Sequence, residues 1–282
     1  MTKIITITSA CLALMLTACS KEQTTQPIQS DADNTTEQNQ TLRIAAAANL
    51  SDVLPEIIAA YKTDKNLPAQ EIEVTYASSG KLYAQIISGA PYDIFLSANQ
   101  EFPAKLAKEK LDNLKSADKT TYQPFTYTQG QLALYSTTKS LQGLNPTALN
   151  ELLTTGSDSK ITIANPELAP YGQSAQAYLQ AQNIFDTLTE QNRIIQAENI
   201  GQAFQYAHTG NVDYGFVAQS QLTAIKATPE QFYTLAPESY PAILQDGIVL
   251  SEATAATDFS NYLRAPAGQQ YFSKAGYLVV DR

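Results

Sequence analysis

From Leu42 onward the chain switches every few residues between strand-like and helix-like patterning, and this alternation limits the fold more than any other feature. Leu42-Arg43-Ile44-Ala45-Ala46 reads as a strand. Val53, Leu54, Ile57, Ile58 and Tyr61 then recur on one face of a helix. Ile72, Val74 and Tyr76 alternate as in a strand, and Leu82, Tyr83, Ile86 and Ile87 return to helical spacing. Residues 93–96 read as a short apolar strand, with Phe102, Leu106 and Leu111 on further helix. Strands joined by helices in this order build a parallel sheet with helices on its faces.

A second series begins at 131–135. Asn145-Pro146 has the pattern of an N-cap followed by Pro at the first helical position. Strands are predicted over 161–164, 194–195 and 214–217, and helices over 173–182 and 200–208. The remainder, a strand near 248–250 and helices around 257–263 and 267–274, is too small for a domain of its own. Its simplest place is back in the first lobe. The predicted fold is therefore α/β and two-lobed, each lobe a mostly parallel sheet flanked by helices, with a ligand cleft between. The first lobe takes 42–124 and 237–282, the second 125–236, with chain crossings at 122–130 and 237–241. Two lobes also suit 282 residues, on a rough prior of about 150 residues per domain.

The segment before Leu42 is of another kind. Lys3 supplies a short positive start, and residues 4–16 are mostly apolar but short for a bilayer span. Small residues before a cut mark a secretory signal, and Leu16-Thr17-Ala18-Cys19 resembles the bacterial lipobox, in which the Cys becomes the lipidated first residue. Residues 1–18 are thus expected to be a lipoprotein signal peptide, with Cys19 holding the mature protein to a membrane in the periplasm or at the cell surface. A plain cleaved signal and an N-terminal membrane anchor are the competing readings. Residues 19–41 are rich in Gln, Thr, Asn and Asp, bury too little to offset chain entropy, and read as a disordered tether. With Cys11 removed and Cys19 lipidated, the two Cys of the chain leave no disulfide.

Composition removes several classes of function. A net charge of −9 argues against nucleic acid as a partner, because phosphate contacts need clustered Lys and Arg. One His and two Cys make zinc and iron–sulfur sites improbable, and no cofactor is expected. No Gly-x-Ser-x-Gly occurs.

Three junctions place small or hydroxyl residues at the end of a strand and the start of a helix. They are Ala45-Ala46-Ala47-Ala48-Asn49-Leu50-Ser51-Asp52, Tyr76-Ala77-Ser78-Ser79-Gly80-Lys81, and Asn165-Pro166-Glu167-Leu168-Ala169-Pro170-Tyr171-Gly172. Ligands of open parallel sheets bind at that edge, and helix N-termini favour anions. Ordinary N-caps at Asn49 or Ser51 and at Ser78 or Ser79, and a simple turn at Gly172, account for each junction taken singly. Asp93 reads as a structural carboxylate, and His208 as the end of a helix.

Taken in order, these junctions resemble the periplasmic molybdate-binding proteins of ABC transporters. Gly89-Ala90-Pro91-Tyr92-Asp93-Ile94-Phe95-Leu96-Ser97-Ala98, Ala197-Glu198-Asn199-Ile200 and Gly215-Phe216-Val217-Ala218 continue the match, which runs from about Leu42 to Leu278. The resemblance implies a monomer that binds molybdate or tungstate, catalyses nothing and delivers the anion to a membrane permease. It carries the oxyanion contacts onto Asn49 and Ser79 of the first lobe and, mostly through backbone N–H groups, Tyr171 and Ile200 of the second. Molybdenum would be met there only as the oxyanion. Asn49 stands where many members have Ser and is expected to donate through its amide. Ala218 stands where many have Tyr, and Tyr171 where many have Ala, so the phenol is expected to have moved from one loop to the other. Rival readings are another anion such as sulfate or a phosphonate, a small organic anion, a secreted hydrolase using a loop serine, and a surface lipoprotein with a structural or adhesive role.

Overall fold

Ala45, Ala46 and Ala47 sit at the end of a strand that is buried at every position except Arg43. Their small side chains let the flanking helices come close. This strand is β1 (Leu42–Ala47) in a computed structural model that describes residues 41–113, 122–155 and 158–280. The expected signal, Cys19 and nearly all of the tether lie outside the described residues. Among those described, no helix is long and apolar enough to cross a membrane.

After β1 come α1 (Leu54–Asp64), β2 (Ile72–Ala77), α2 (Ser79–Ile87), β3 (Ile94–Leu96), α3 (Glu101–Asn113) and β4 (Phe125–Gly130). The second series is β5 (Leu132–Tyr135), α4 (Pro146–Thr155), β6 (Ile161–Ala164), α5 (Pro170–Ala181), α6 (Phe185–Glu190), β7 (Ile194–Ala197), α7 (Ile200–His208), β8 (Tyr214–Ala218), α8 (Gln219–Ala224) and β9 (Phe232–Thr234). The chain closes with β10 (Ile243–Val249), α9 (Thr254–Arg264) and α10 (Pro266–Lys274).

Two five-stranded sheets result, in the orders β2-β1-β3-β10-β4 and β7-β6-β8-β5-β9. In the first, β1 is parallel to β2 and β3, and β10 is antiparallel to β3 and β4. In the second, β6 is parallel to β7 and β8, and β5 is antiparallel to β8 and β9. Each sheet thus has four strands running one way and one reversed. The reversed strand is in each case the one that has just arrived from the other sheet. β4 and β9 end at the same sheet edge as the strands they run with, the edge that faces the other lobe. A chain crossing there enters its new sheet at that edge and must run outward, against its neighbours.

β4 differs from the sequence reading, which put 122–130 in a crossing and opened the second lobe at 125. Phe125–Gly130 is a strand of the first sheet, held to β10. Phe125-Thr126-Tyr127-Thr128 alternates as a strand does, but only the pairing with β10 assigns it to the first sheet. β9, α6 and α8 are also absent from that reading, each being six residues or fewer and too short to show a period. The apolar faces bury well. Tyr61 of α1, for example, meets the edges of Phe259 and Tyr262 of α9 at 5.1 and 5.3 Å between ring centroids.

Candidate functional site

Four strands of the two sheets, β1, β2, β6 and β7, lead at their C-terminal ends into short loops and helix starts. The starts are a 3-10 turn at Ala48–Leu50, then α2, α5 and α7. They converge on one small cavity. Ala47, Ala48, Asn49, Ala77, Ser78, Ser79 and Ala98 line it from the first lobe, and Ala169, Pro170, Tyr171, Asn199 and Ile200 from the second. All four residues that the sequence singles out are on this wall, and none of the lining residues carries a charge. The first N–H groups of a helix have no carbonyl one turn back to bond. Several such starts aimed at one space make it electropositive without a cation.

The hydroxyls come from the first lobe. Ser79 Oγ accepts from the Ala98 N–H at 2.9 Å, which leaves its own proton to give. Ser78 precedes α2 in the N-cap position yet makes no capping bond, and its Oγ is buried without a partner. Sequence reading passed over Ser78 as an ordinary cap. A Ser-Ser pair at a helix start shows that a hydroxyl is available, but not which of the two is already satisfied.

Asn49 does not offer its amide as expected. Both amide hydrogens are committed, to Gln245 Oε1 at 3.0 Å and to the Tyr277 hydroxyl at 3.0 Å, while Oδ1 has no partner. The Tyr277 hydroxyl in turn donates to the Asn49 carbonyl at 2.7 Å. Two residues from the C-terminal return thus hold the side chain away from donation, and Asn49 can serve the cavity through its backbone N–H.

In the second lobe, Tyr171 follows Pro170 at the start of α5 and is 1% exposed. Its hydroxyl accepts from Gln245 Nε2 at 3.3 Å. Burial, with the neighbouring phenols of Tyr277, Tyr240 and Tyr127, pushes its pKa well up, so it stays protonated and can donate. The phenol lies over Gly130, where a Cβ would fall 2.1 Å from the hydroxyl oxygen. The handover from β4 to β5 must therefore be glycine. Ala218 is buried, gives its N–H to Gln221 Oε1 at 3.0 Å and is not on the cavity wall. Ile200 opens α7, and the Asn199 side chain is occupied in capping that helix through the Gln202 N–H at 3.0 Å. What Ile200 can give is its own N–H.

The nearby carboxylates stay off the wall. Glu198 pairs with Lys81 at 2.7 Å from opposite lobes, both about half exposed. The Gly80 N–H also reaches the Leu168 carbonyl across the lobes at 2.9 Å. Asp52 lines a separate groove with Lys226 and Lys274, and desolvation raises its pKa. Asp93 accepts from the Arg43 N–H at 2.8 Å, a structural contact. His208 Nδ1 meets the Tyr135 hydroxyl at 2.9 Å and stacks on Phe204. Among the described residues, no cluster of His, Cys, Asp or Glu could hold a metal ion.

The chain matches known proteins over this same body. A molybdate-binding protein ModA of Rhodobacter capsulatus is 31% identical over 262 residues, covering 85% of this chain and 98% of the relative. The solved periplasmic molybdate-binding protein of Azotobacter vinelandii superposes with a TM-score of 0.74 at 28% identity, over 85% of this chain and all of the other. The sulfate-binding protein SubI of Mycobacterium tuberculosis shares the fold, with a TM-score of 0.64 at 16% identity. The family model described as bacterial extracellular solute-binding protein matches residues 42–278. With the two-sheet topology and the cleft between the lobes, this makes the chain a member of the bacterial extracellular solute-binding proteins, which are binding proteins and not enzymes.

Proposed function

We propose that the protein captures a fully deprotonated tetrahedral oxyanion, molybdate or tungstate, outside the cytoplasm and passes it to the permease of an ABC transporter. The observation that carries this reading is the cavity wall, which offers helix-start N–H groups and hydroxyls but no carboxylate and no cation. A dianion needs donors only. Hydrogen phosphate keeps a proton and calls for an acceptor, normally a carboxylate, and Glu198 is turned to Lys81 instead. The similarity to two molybdate-binding proteins over most of the chain supports the choice of anion.

In this reading Ser79 donates through its hydroxyl, Tyr171 through its phenol, and Asn49 and Ile200 through backbone N–H groups, with Ser78 as a further donor. Molybdenum is held only as the centre of its oxyanion. The protein works as a monomer, tied to a membrane by lipid on Cys19, with 19–41 as tether, in the periplasm or at the cell surface. Calorimetry with molybdate, tungstate, sulfate and phosphate, together with elemental mass spectrometry of the purified protein, tests the ligand. Tight binding of molybdate and tungstate and none of phosphate is expected, and a protein that takes no oxyanion overturns the reading. Intact mass tests the anchor. Cys19→Ser should release soluble or unprocessed protein that still binds, and a mature chain beginning elsewhere without lipid refutes the anchor.

A further inference from the structure

Gln245 lies outside the cavity wall and is completely buried on β10, where the pairing with β4 shifts register at Gln245 and Asp246. A buried primary amide is costly unless its oxygen finds donors and its nitrogen finds acceptors. Here the partners come from both lobes. Oε1 accepts from Asn49 Nδ2 at 3.0 Å and from the Tyr127 hydroxyl at 3.1 Å, and Nε2 donates to the Tyr171 hydroxyl at 3.3 Å. Tyr127 has one proton and two acceptors in reach, Gln245 Oε1 and the Ser97 carbonyl at 2.8 Å, so the two share it and the Asn49 amide is the full donor that fixes which end of the Gln245 amide is oxygen.

The direction of these bonds matters. An amide nitrogen can only donate, so the Tyr171 oxygen is an acceptor toward Gln245 and its proton must point elsewhere. An amide oxygen can only accept, so Asn49 is held with its nitrogen inward. We infer that Gln245 is a positioning residue that turns the Tyr171 hydroxyl proton toward the bound oxyanion and fixes the Asn49 loop, linking the return strand to both walls of the site. This inference rests on the oxyanion reading above. It also accounts for glycine at position 130, since a Cβ there would lie 2.7 Å from Gln245 Nε2 as well as over the Tyr171 phenol.

The test is a double-mutant cycle on the intact protein, read by calorimetry with sodium molybdate, with melting temperature without ligand as the check on folding. Gln245→Met removes the donor and acceptor while keeping bulk, and should weaken molybdate about tenfold in the wild-type background. In a Tyr171→Phe background the same change should cost at least about threefold less than in the wild type, because the proton it orients is gone and only its hold on the Asn49 loop remains. Equal losses in both backgrounds, or no loss in either, overturn the inference. Should Gln245→Met fail to fold, Gln245→Glu keeps the shape but accepts the phenol proton instead of donating to its oxygen. It should weaken molybdate at least as much, and wild-type affinity in this variant overturns the inference. A wild-type protein with no oxyanion affinity defeats the proposed function itself. Wild-type binding with unchanged Gln245 variants defeats only the positioning role.

Discussion

The two lobes share one topology and meet the same cavity with different chemistry. Each has three parallel strands, then a reversed strand, then an edge strand, and each presents two turns or helix starts to the cleft. The first lobe brings free hydroxyl capacity, Ser78 and Ser79. The second brings Ala169, Pro170 and Ile200, an Asn199 already spent on its own helix, and one phenol. In the proposed function, one wall reads the ligand with side chains and the other mostly with backbone. Side-chain deletions should hurt binding on the first wall, and changes of backbone position should hurt it on the second.

The largest effect is expected at Gly172 in the second lobe. A Cβ there would fall 2.1 Å from the Ala164 carbonyl oxygen and 2.6 Å from its carbon. Gly172→Ala must push the start of α5 off β6. It should cost about 3 kcal/mol of stability in urea unfolding and abolish molybdate binding in calorimetry. A variant of normal affinity would show that the second wall does not work through backbone placement.

Ser78→Ala comes next. Removing a donor to a charged group typically costs about 1.5–3 kcal/mol, or roughly ten- to 150-fold in affinity. Because Ser78 Oγ has no protein partner, the melting temperature without ligand should not fall. Loss of stability with affinity intact would make this hydroxyl structural and remove the contrast between the walls.

Ile200→Val gives the complementary control. It keeps the N–H and trims one methyl group from a buried side chain, so stability should drop by about 0.5–1.5 kcal/mol while molybdate affinity changes less than about twofold. If affinity falls as far as in Ser78→Ala, the Ile200 side chain and not only its N–H shapes the ligand site.

The smallest effect belongs to Lys81→Ala, which breaks the half-exposed pair with Glu198. Exposed pairs are worth about 0.2–1 kcal/mol and are screened by salt. A modest loss of molybdate affinity that fades as sodium chloride is added is expected. A large, salt-independent loss would mean that a cation does contribute to holding the anion.

Much of the fold was legible because its signals are local. The helix spacing of Leu54, Ile57 and Tyr61 and the buried runs of β1, β6 and β8 each announce themselves within a few residues. For β4 the alternation of Phe125 and Tyr127 with Thr is local, but the sheet it joins is set by its partner β10, far along the chain. The site divides in the same way. Asn49, Ser79, Tyr171 and Ile200 were carried to the site by the family resemblance, the first three also lying at strand-to-helix junctions, and all four line the cavity. The state of each donor could not be read in that way, since Ser78 was missed and the Asn49 amide was misjudged.

The sequence by itself determined the α/β class, the order of elements and an uncharged set of donors at the ends of the strands. Side-chain periodicity and helix starts are written in neighbouring residues. Tertiary structure alone decided which of those donors remain free. Asn49 loses its amide to Gln245, 196 positions away, and to Tyr277, 228 positions away, while Ser78 keeps its hydroxyl because nothing in the fold reaches it. A hydrogen-bonding group has a fixed number of protons and lone pairs. What it can offer a ligand is therefore set by what the rest of the chain has already taken.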